Sequence, residues 1–306
     1  MHIWVPYEEF VPDVEKLVPD LEVAVYTGNN GIPPDFAEVE FFVAPYATTA
    51  EALGVTRQMR RLRAMQLLSA GYEHAVPYLP SGVTLCNARG VHDASTAELA
   101  VALMLASLRR IPRFVRAQYK HAWEPGQFQA LADKHVLILG YGSIGVAIDR
   151  RLRPFETMVT RIARRARPAD DVYGVDDLPE LLPEADIVVV VTPLTLQTKG
   201  MVGESFLRQM KQGALLVNVA RGGVVDTAAL LAALQERRVR AALDVTDPEP
   251  LPSDHPLWDA PGLLISPHVG SNTSAFLPRA RRLVRDQFAR FVEGEPLDNV
   301  VVPGTG

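Results

Sequence analysis

The strand–turn–helix unit around GYGSIG constrains the fold of this chain more than any other feature. An apolar run, KHVLILG, leads directly into GYGSIG at 140–145, and a helical stretch follows at 143–153. Gly140, Gly142 and Gly145 complete a G-x-G-x-x-G pattern, in which small residues let backbone amides and a helix amino terminus approach a pyrophosphate. The glycines alone are weak evidence, but their place between strand and helix predicts a nucleotide cofactor site.

Short apolar runs alternate with helical stretches on both sides of this unit. Such alternation is typical of parallel, doubly wound α/β sheets. Between the two series, residues 94–110 form a long, mostly apolar helix that Asp93 or Ser95 could cap, and we expect it to be buried between domains or against a partner subunit. A final helix runs from about Thr273 to Glu293. The predicted strands are HIWVPY, LEVAVYT, VEFFVAP and LRAMQLLSAG in the first series, then KHVLILG, TMVTRIA, DIVVVVTP, GALLVNVA, RAALDVT and LLISPH.

Bulk composition limits the class of protein. The 306 residues suffice for two domains, and 48% hydrophobic with 22% charged residues is typical of a soluble globular chain. A net charge of -5 gives no general attraction to nucleic acid. Cys86 is the only cysteine, which excludes an intrachain disulfide and a cysteine-based metal site. Without a signal-like amino terminus or a membrane-length apolar run, a cytoplasmic protein with no membrane partner and no bound metal is expected.

The strand after the glycine loop bears on which cofactor is used. An NAD site usually ends this strand in an acid that binds the ribose hydroxyls. Here no Asp or Glu occurs from Thr157 to Ala169, and Ala163 stands where we would place the acid. Arg164 and Arg165 follow it directly, and guanidinium groups can donate paired hydrogen bonds to a 2′-phosphate. Together with Arg161 and Arg167 nearby, this pattern favours NADPH over NADH, although a solvated basic surface would look the same.

Three residues in the last third of the chain form a candidate catalytic set. Arg221 in VNVARGG follows a predicted strand, where a guanidinium could bind a carboxylate and polarise a 2-oxo group. His268 in SPHVGSN also follows a strand, and an imidazole near neutrality can donate or accept the proton of a carbonyl/alcohol couple. Glu249 in DVTDPEPLP would raise the proton affinity of the imidazole by pairing with it. Any one of the three could be purely structural.

The ordered motifs of the chain resemble those of the D-isomer-specific 2-hydroxyacid dehydrogenase family. The motifs are SAGYEH, NARGVHDASTAE, GYGSIG, TPLTLQT, VNVARGGVVD, LDVTDPEPLP, HPLW and SPHVGSNT, and they cover most of the sequence. The resemblance implies two doubly wound parallel-sheet domains. A Rossmann cofactor domain at 93–273 would be inserted into a flavodoxin-like substrate domain formed by 1–92 and 274–306.

The resemblance also implies roles for individual residues. Arg221 would bind the 2-oxo acid, and His268 would be the proton donor or acceptor with Glu249 as its partner. Ser69, Ala70 and Gly71 fall on the family's substrate-carboxylate loop, and Asp244 would face the nicotinamide amide. Further positions implied to line the cofactor are Thr96, Tyr141, Ser143, Ile144, Thr192, Pro193, Thr198, Val219, Ala220 and Gly270.

The implied activity is hydride transfer between NADPH (or NADH) and a 2-oxo acid or D-2-hydroxy acid, with glyoxylate or hydroxypyruvate as natural candidates. The chain departs from the family pattern at Ala163 and at Glu156, where a glycine is usual and where Glu could tilt the next strand. With no extra regulatory domain before its end at 306, the allosteric enzyme of serine synthesis is less expected. Six large residues could form either an apolar wall for a bigger substrate or ordinary core: Trp4, Tyr46, Leu53, Leu68, Tyr72 and Trp258.

Two other functions remain open on the sequence. Formate enzymes on this scaffold pair the histidine with glutamine, so Glu249 argues against formate, but phosphite oxidation is not excluded by any residue. A non-catalytic NAD(P)-sensing protein could keep the same three residues. The apolar helix at 94–110 and the segment around Trp123 suggest a homodimer formed through the cofactor domains.

Overall fold

The computed structural model describes residues 1–46 and 49–305, and the chain divides into two compact units. Met1–His92 and Ser274–Gly306 form the first unit, which we call the outer unit because it contains both ends of the chain. Asp93–Thr273 forms the second, the inserted unit. Each contains its own six-stranded sheet with helices between the strands, so the predicted α/β class with two parallel-sheet domains is confirmed.

The elements are short, and their bounds follow in chain order. The strands are β1 His2–Val5, β2 Glu22–Val25, β3 Phe41–Val43, β4 Ala64–Gln66, β5 Thr84–Cys86, β6 His135–Leu139, β7 Met158–Ile162, β8 Ile187–Val190, β9 Leu215–Asn218, β10 Arg240–Leu243, β11 Leu263–Ile265 and β12 Val300–Val302. The α-helices are α1 Val11–Val14, α2 Ala50–Gly54, α3 Asp93–Leu108, α4 Ile111–Tyr119, α5 Ser143–Leu152, α6 Leu178–Leu181, α7 Glu204–Gln209, α8 Thr227–Gln235 and α9 Phe276–Glu293. Single 3₁₀ turns lie at Glu8–Phe10, Phe36–Glu38, Val55–Gln58, Val76–Tyr78, Arg153–Phe155, Pro168–Asp170, Val175–Asp177, Leu182–Glu184, Gly222–Val224 and Pro256–Asp259.

The sheet of the outer unit has the order β12-β5-β4-β3-β1-β2. All neighbours are parallel except β12, which pairs antiparallel with β5 at the edge. Strands β1, β3 and β4 are buried on both faces, as expected when helices cover a parallel sheet. Strands β5 and β12 were not predicted from the sequence, because neither lies in an apolar pattern that separates it from a loop.

The last long helix, α9, packs back on the outer unit. Phe288 and Phe291 contact Phe41 of β3 edge-on, with ring centroids 5.5 and 5.1 Å away. The buried Gln287 donates to Gln66 Oε1 of β4 at 2.8 Å, so a polar bridge joins the helix to the sheet. Neither α9 nor any other helix in the described ranges is long and apolar enough to cross a membrane.

The sheet of the inserted unit has the order β11-β10-β9-β8-β6-β7 and is parallel throughout. The chain starts at β6, adds β7 on one side and then returns to add β8 on the other. Strand order therefore reverses between β6 and β8, and a crevice opens there outside the carboxyl ends of the strands. The register brings Leu139 of β6 level with Ile162 of β7 and Val190 of β8.

Helix α3 is buried against the sheet of its own unit. Ala97, Ala100 and Met104 belong to one apolar cluster with residues of β6, β8 and β9. The sequence predicted burial of this helix between domains or against a partner subunit. The face described here is buried in the core of its own unit.

Glu156 adopts the left-handed backbone conformation, with φ 58° and ψ 40°. This explains why a glycine is usual here, since a side chain in that region costs about 1–2 kcal/mol. The strand that follows is not tilted: β7 pairs with β6 in continuous register from Met158 to Ile162. The strain is confined to the turn before the strand.

Candidate active site

The glycine loop between β6 and α5 has the form needed to hold a pyrophosphate. Gly140 has φ 113°, and a Cβ on it would lie 2.7 Å from the Thr192 amide nitrogen. Gly145 lets α5 pack on the loop, because a Cβ there would lie 2.5 Å from the Gly140 carbonyl oxygen. A Cβ on Gly142 would instead meet no atom within 4 Å and would enter open space. The absence of a side chain therefore serves a different purpose at each of the three glycines.

The first amides of α5 are available to an anion. Within the described part of the chain, the amides of Ser143, Ile144 and Gly145 have no backbone acceptor. Ser143 Oγ donates to Asp93 Oδ1 at 3.1 Å, which ties the start of α5 to the start of α3. Free amides at a helix amino terminus form a ready anion site, and the open position at Gly142 leaves room for the ligand.

A cavity of about 430 Å³ occupies the crevice between β6 and β8. It brings together the residues that follow β6, β7 and β8 in the sequence. Of the residues implied to bind a cofactor, the cavity is lined by Gly140, Tyr141, Gly142, Arg164, Thr192, Pro193 and Thr198. The residues present thus fit a dinucleotide, with the glycine loop at its pyrophosphate and the end of β7 at its adenosine.

The four arginines after β7 are in different environments. Arg161 is mostly buried and donates to Asp149 Oδ2 at 3.0 Å and to Asp171 Oδ2 at 2.7 Å. Arg167 donates to the Tyr141 carbonyl at 3.0 Å. Arg164 and Arg165 are exposed and have no hydrogen bond or ion pair with any described residue. Of these four guanidinium groups, those of Arg164 and Arg165 are the two without a partner among the described residues.

Asp149 connects the glycine loop to β7. Its side chain is buried, and its Oδ2 accepts from Tyr141 Oη at 2.6 Å as well as from Arg161. Burial opposes the charged form, but the hydrogen bonds from Tyr141 and Arg161 outweigh it and hold the pKa of Asp149 below its usual value. Arg161 therefore serves this internal network, in contrast to the ligand role suggested by the sequence.

Arg221 follows β9 and is set by a buried asparagine at the end of that strand. Asn218 Oδ1 accepts from the Ala220 amide at 3.0 Å, and Asn218 Nδ2 donates to the Arg221 carbonyl at 3.0 Å. The Arg221 guanidinium donates one hydrogen bond, to the Ala220 carbonyl at 2.7 Å. No carboxylate of the described residues pairs with it, so its remaining donors are free for a ligand.

Asp244, at the end of β10, holds the loop that carries His268. Its Oδ1 accepts from Ser266 Oγ at 2.7 Å and from the Val269 amide at 2.9 Å, and its Oδ2 accepts from the Gly270 amide at 2.9 Å. His268 has φ 53°, a left-handed conformation that is uncommon for a residue with a side chain. The buried carboxylate fixes the loop on both sides of His268 and offsets that strain.

His268 and Glu249 form a direct pair. The distance from His268 Nδ1 to Glu249 Oε1 is 2.5 Å, and each side chain is 40% exposed. Because a carboxylate accepts, Nδ1 carries the hydrogen of this bond. Nε2 is then the ring atom left to exchange a proton with a ligand.

The loop at 246–252 that carries Glu249 packs closely on the residue after Arg221. A Cβ on Gly222 would lie 1.9 Å from the Thr246 carbonyl oxygen and 2.7 Å from the Asp247 nitrogen. Only a glycine allows this approach. The Arg221 turn and the Glu249 loop are therefore in backbone contact.

The proposed cofactor residues beyond the cavity gather near these strand ends. Thr96 Oγ1 donates to the Gly270 carbonyl at 3.4 Å, and Gly270 in turn contacts Asp244. Val219 and Ala220 lead from β9 into Arg221. The inserted unit thus places its proposed cofactor and catalytic residues at the carboxyl ends of parallel strands.

The proposed substrate loop lies in the outer unit, after β4. Ser69 Oγ donates to the Gly71 carbonyl at 2.7 Å, and Asn87 Nδ2 donates to the Ala70 carbonyl at 2.7 Å. The buried His92 is 2.7 Å from the Leu68 carbonyl through Nε2. These contacts give the loop a defined backbone conformation within its own unit.

Comparison with known proteins decides the family. Residues 101–270 match the family model described as "D-isomer specific 2-hydroxyacid dehydrogenase, NAD binding domain". The human glyoxylate reductase/hydroxypyruvate reductase is 33% identical over 250 residues, covering 77% of this chain and 76% of that protein. The chain belongs to the D-isomer-specific 2-hydroxyacid dehydrogenase family.

Other relatives of this family differ in length and in ligand. The D-3-phosphoglycerate dehydrogenase of Methanocaldococcus jannaschii is 34% identical over 227 residues, which cover 72% of this chain but only 43% of that protein. The chain thus spans less than half the length of the phosphoglycerate dehydrogenases it matches. The D-isomer-specific 2-hydroxyacid dehydrogenase of Xanthobacter autotrophicus Py2, solved with NADPH and MES, shares 28% identity and superposes with a TM-score of 0.83 over 99% of both chains.

The apolar wall suggested by the sequence does not form as a set. Trp4, Leu53 and Leu68 are almost fully buried in the core of the outer unit. Trp258 is half exposed in the inserted unit, and its indole donates to the Pro252 carbonyl at 2.8 Å. Large apolar residues carry no sign in the sequence of whether they line a cleft or fill a core.

Sequence reasoning missed several residues that build the site. Asn218 and Gly222 set the Arg221 turn, and Thr227 contacts the Glu249 loop. Trp258, predicted only as part of an apolar wall, contacts that loop as well. Asn218 was within the VNVARGG motif but had no obvious ligand chemistry. Its position as the last residue of a buried strand was the available signal, since a buried amide there must find backbone partners.

We expect Gly222→Ala to destabilise this 2-hydroxyacid dehydrogenase by about 1–3 kcal/mol, the usual cost of forcing a methyl group into a packed site. Thermal or urea unfolding measures the change. Gly31→Ala is the matched control, because a Cβ there meets nothing within 4 Å. Equal stability of the two variants would contradict the close backbone contact.

Proposed function

We propose that this protein is an NADPH-preferring reductase of 2-oxo acids, which interconverts a 2-oxo acid and a D-2-hydroxy acid. One observation carries the proposal: the Glu249–His268 pair lies on the same parallel sheet as an Arg221 that no carboxylate neutralises. A cation for the substrate and an acid–base group beside a nucleotide crevice are what this reaction needs.

Arg221 binds and orients the substrate. Its free N–H groups can grip a carboxylate with two hydrogen bonds and polarise the neighbouring 2-oxo group. Asn218 keeps the backbone of Arg221 fixed through its bond to the Arg221 carbonyl. By resemblance to the family, Ser69, Ala70 and Gly71 contribute a second group of contacts to the substrate carboxylate.

His268 gives the proton to the carbonyl oxygen through Nε2 in the direction of reduction. Glu249 accepts from Nδ1 and so holds the ring in one orientation, with Nε2 available to the ligand. A nicotinamide cofactor held by the glycine loop would supply the hydride that the second carbon receives. In the direction of oxidation His268 accepts the proton at the same atom.

The arginine pair after β7 supports the preference for NADPH. Ala163 offers no carboxylate to repel a 2′-phosphate, and Arg164 lines the cavity without a partner of its own. The X. autotrophicus relative was solved with NADPH. Glyoxylate and hydroxypyruvate are the first substrates to test, because the human relative is a glyoxylate reductase/hydroxypyruvate reductase.

The surface of α4 and the segment after it supports a homodimer. Tyr119 and Trp123 are 84% and 95% exposed. They adjoin a mostly apolar groove of about 630 Å³ that Phe114, Ala117 and Ala122 help to line. Exposed aromatic side chains beside an apolar groove are typical of an interface.

The function is tested by initial rates at the NADPH absorbance band with glyoxylate, hydroxypyruvate, pyruvate, oxaloacetate, 2-oxoisocaproate and phenylpyruvate. We expect turnover with at least one, and His268→Ala should lower it by about 10²–10⁴-fold, the usual contribution of a general acid. Cofactor binding, followed by fluorescence, should persist in the variant. Near-normal turnover of His268→Ala would remove this residue from the mechanism. If the wild type binds cofactor tightly but reduces none of these 2-oxo acids, phosphite oxidation would be tested next. If that also fails, a cofactor-sensing role would be favoured.

Replacing Arg164 and Arg165 together with alanine should raise the KM for NADPH by about tenfold or more, since each guanidinium donates charge-assisted hydrogen bonds to the phosphate. The KM for NADH should change little. Arg150→Ala and Arg151→Ala, on α5, are controls for the loss of positive charge. Equal effects on both cofactors would refute the assignment.

In solution the protein should have twice the mass of one chain, measured by light scattering. Trp123→Glu should shift it toward the monomer, because a charge would be buried at the interface. Leu196→Glu is the control, because Leu196 is exposed in the inserted unit and is not part of α4. A monomeric wild type would contradict the homodimer.

A further inference from the structure

Backbone hydrogen bonding holds the loop that carries Glu249 only at its far end, where the His255 amide donates to the Pro252 carbonyl at 3.1 Å. Pro248, Pro250 and Pro252 alternate with the other residues, and each lacks an N–H donor. Within residues 246–252, no backbone amide donates to another element of the described chain. Something else must fix the loop if Glu249 is to meet His268 at 2.5 Å.

Side-chain donors bind the carbonyl groups on both sides of Glu249. Thr227 Oγ1, at the start of α8, donates to the Asp247 carbonyl at 2.7 Å. Trp258 Nε1 donates to the Pro252 carbonyl at 2.8 Å. Within the loop, Thr246 Oγ1 donates to the Pro248 carbonyl at 2.8 Å. The three acceptors are thus the carbonyl groups of Asp247, Pro248 and Pro252.

Both outside donors are themselves anchored. Thr227 begins α8 directly after Asp226, whose side chain caps the helix by accepting from the Ala229 amide at 3.0 Å. Trp258 lies in a 3₁₀ turn, Pro256–Asp259, in which Leu257 is buried in the core. The loop is thus tied at each end to a rigid element.

We propose that Thr227 and Trp258 are positioning residues that hold the Glu249 carboxylate against His268 Nδ1. Glu249 has no other hydrogen bond or ion pair in the described chain, and both partners are 40% exposed. An exposed pair gains little by itself, because water competes and side-chain entropy is lost. The pair persists only if the two backbones are fixed beforehand, His268 by Asp244 and Glu249 by these two donors.

Because Thr227 and Trp258 would position the proposed acid–base pair, their role in catalysis rests on the proposed function. Its test need not, because the pair can be observed without turnover. Held against a carboxylate, the neutral His268 ring carries its hydrogen on Nδ1, whereas a free imidazole prefers the Nε2–H tautomer. The ¹⁵N chemical shifts of the ring nitrogens, read through non-exchanging C–H groups at alkaline pH, report the tautomer.

The test compares wild type with Thr227→Val, Trp258→Phe and the double variant. Each change removes a donor: Thr227→Val keeps nearly the same volume, and Trp258→Phe keeps a smaller aromatic ring at a half-exposed position. We expect the His268 nitrogens of the double variant to shift toward the values of Glu249→Ala, in which the pair is absent. His268→Ala assigns the signals among the seven histidines.

Thr157→Val is the matched control, because Thr157 Oγ1 likewise donates to a backbone carbonyl, that of Leu152 at 3.0 Å. It should leave the His268 signals unchanged, and melting curves should show that all variants fold. An unchanged tautomer in the double variant would overturn the proposal, even if the protein melts earlier.

Kinetics then separates the two hypotheses. With an active wild type, the double variant should lose about tenfold in kcat with an unchanged KM for NADPH, the pattern of a misplaced catalytic group. A loss in KM alone would contradict the positioning role. If the wild type reduces no 2-oxo acid, the proposed function fails, while the tautomer shift still decides the role of Thr227 and Trp258.

Discussion

The buried carboxylate of Asp244 is the interaction on which the rest of the site depends. It lies at the end of β10 and accepts three hydrogen bonds from residues 266–270, two of them from backbone amides. Those bonds hold His268 in a left-handed conformation that the residue would not adopt alone. Hydrogen bonds to a carboxylate contribute about 1.5–3 kcal/mol each, which is enough to offset the strain.

A single sheet edge accounts for the grouping of functional residues. Parallel strands end on the same side, so the glycine loop after β6, Arg221 after β9 and His268 after β11 share one edge although up to 128 residues separate them in the chain. The reversal of strand order between β6 and β8 adds a crevice at the same edge. Cofactor and catalytic residues can therefore belong to one unit without any long-range loop.

The sequence was sufficient for the strands that have strong patterns and for the residue types of the site, but insufficient for their supports. The segments KHVLILG, TMVTRIA, DIVVVVTP and GALLVNVA predicted β6 to β9, whereas β5 and β12 carried no recognisable pattern. Arg221, Glu249 and His268 were proposed from their chemistry. The hydrogen bonds of Thr227 and Trp258 to the Glu249 loop were not predicted, because a threonine or tryptophan that donates to a backbone carbonyl leaves no mark in a local pattern.

The arginines after β7 likewise have contacts that the sequence does not reveal, and these contacts bear on which of them could bind a cofactor. Four arginines in seven residues predict a basic site, but charge counting cannot tell which are already neutralised. Arg161 is paired with Asp149 and Asp171, and Arg167 is bonded to the Tyr141 carbonyl, so both stabilise the loop itself. These bonds fix the loop on both sides of Arg164 and Arg165. Two arginines with no other partner on a rigid turn favour an anion more than four mobile ones would, because less side-chain and loop entropy is lost on binding.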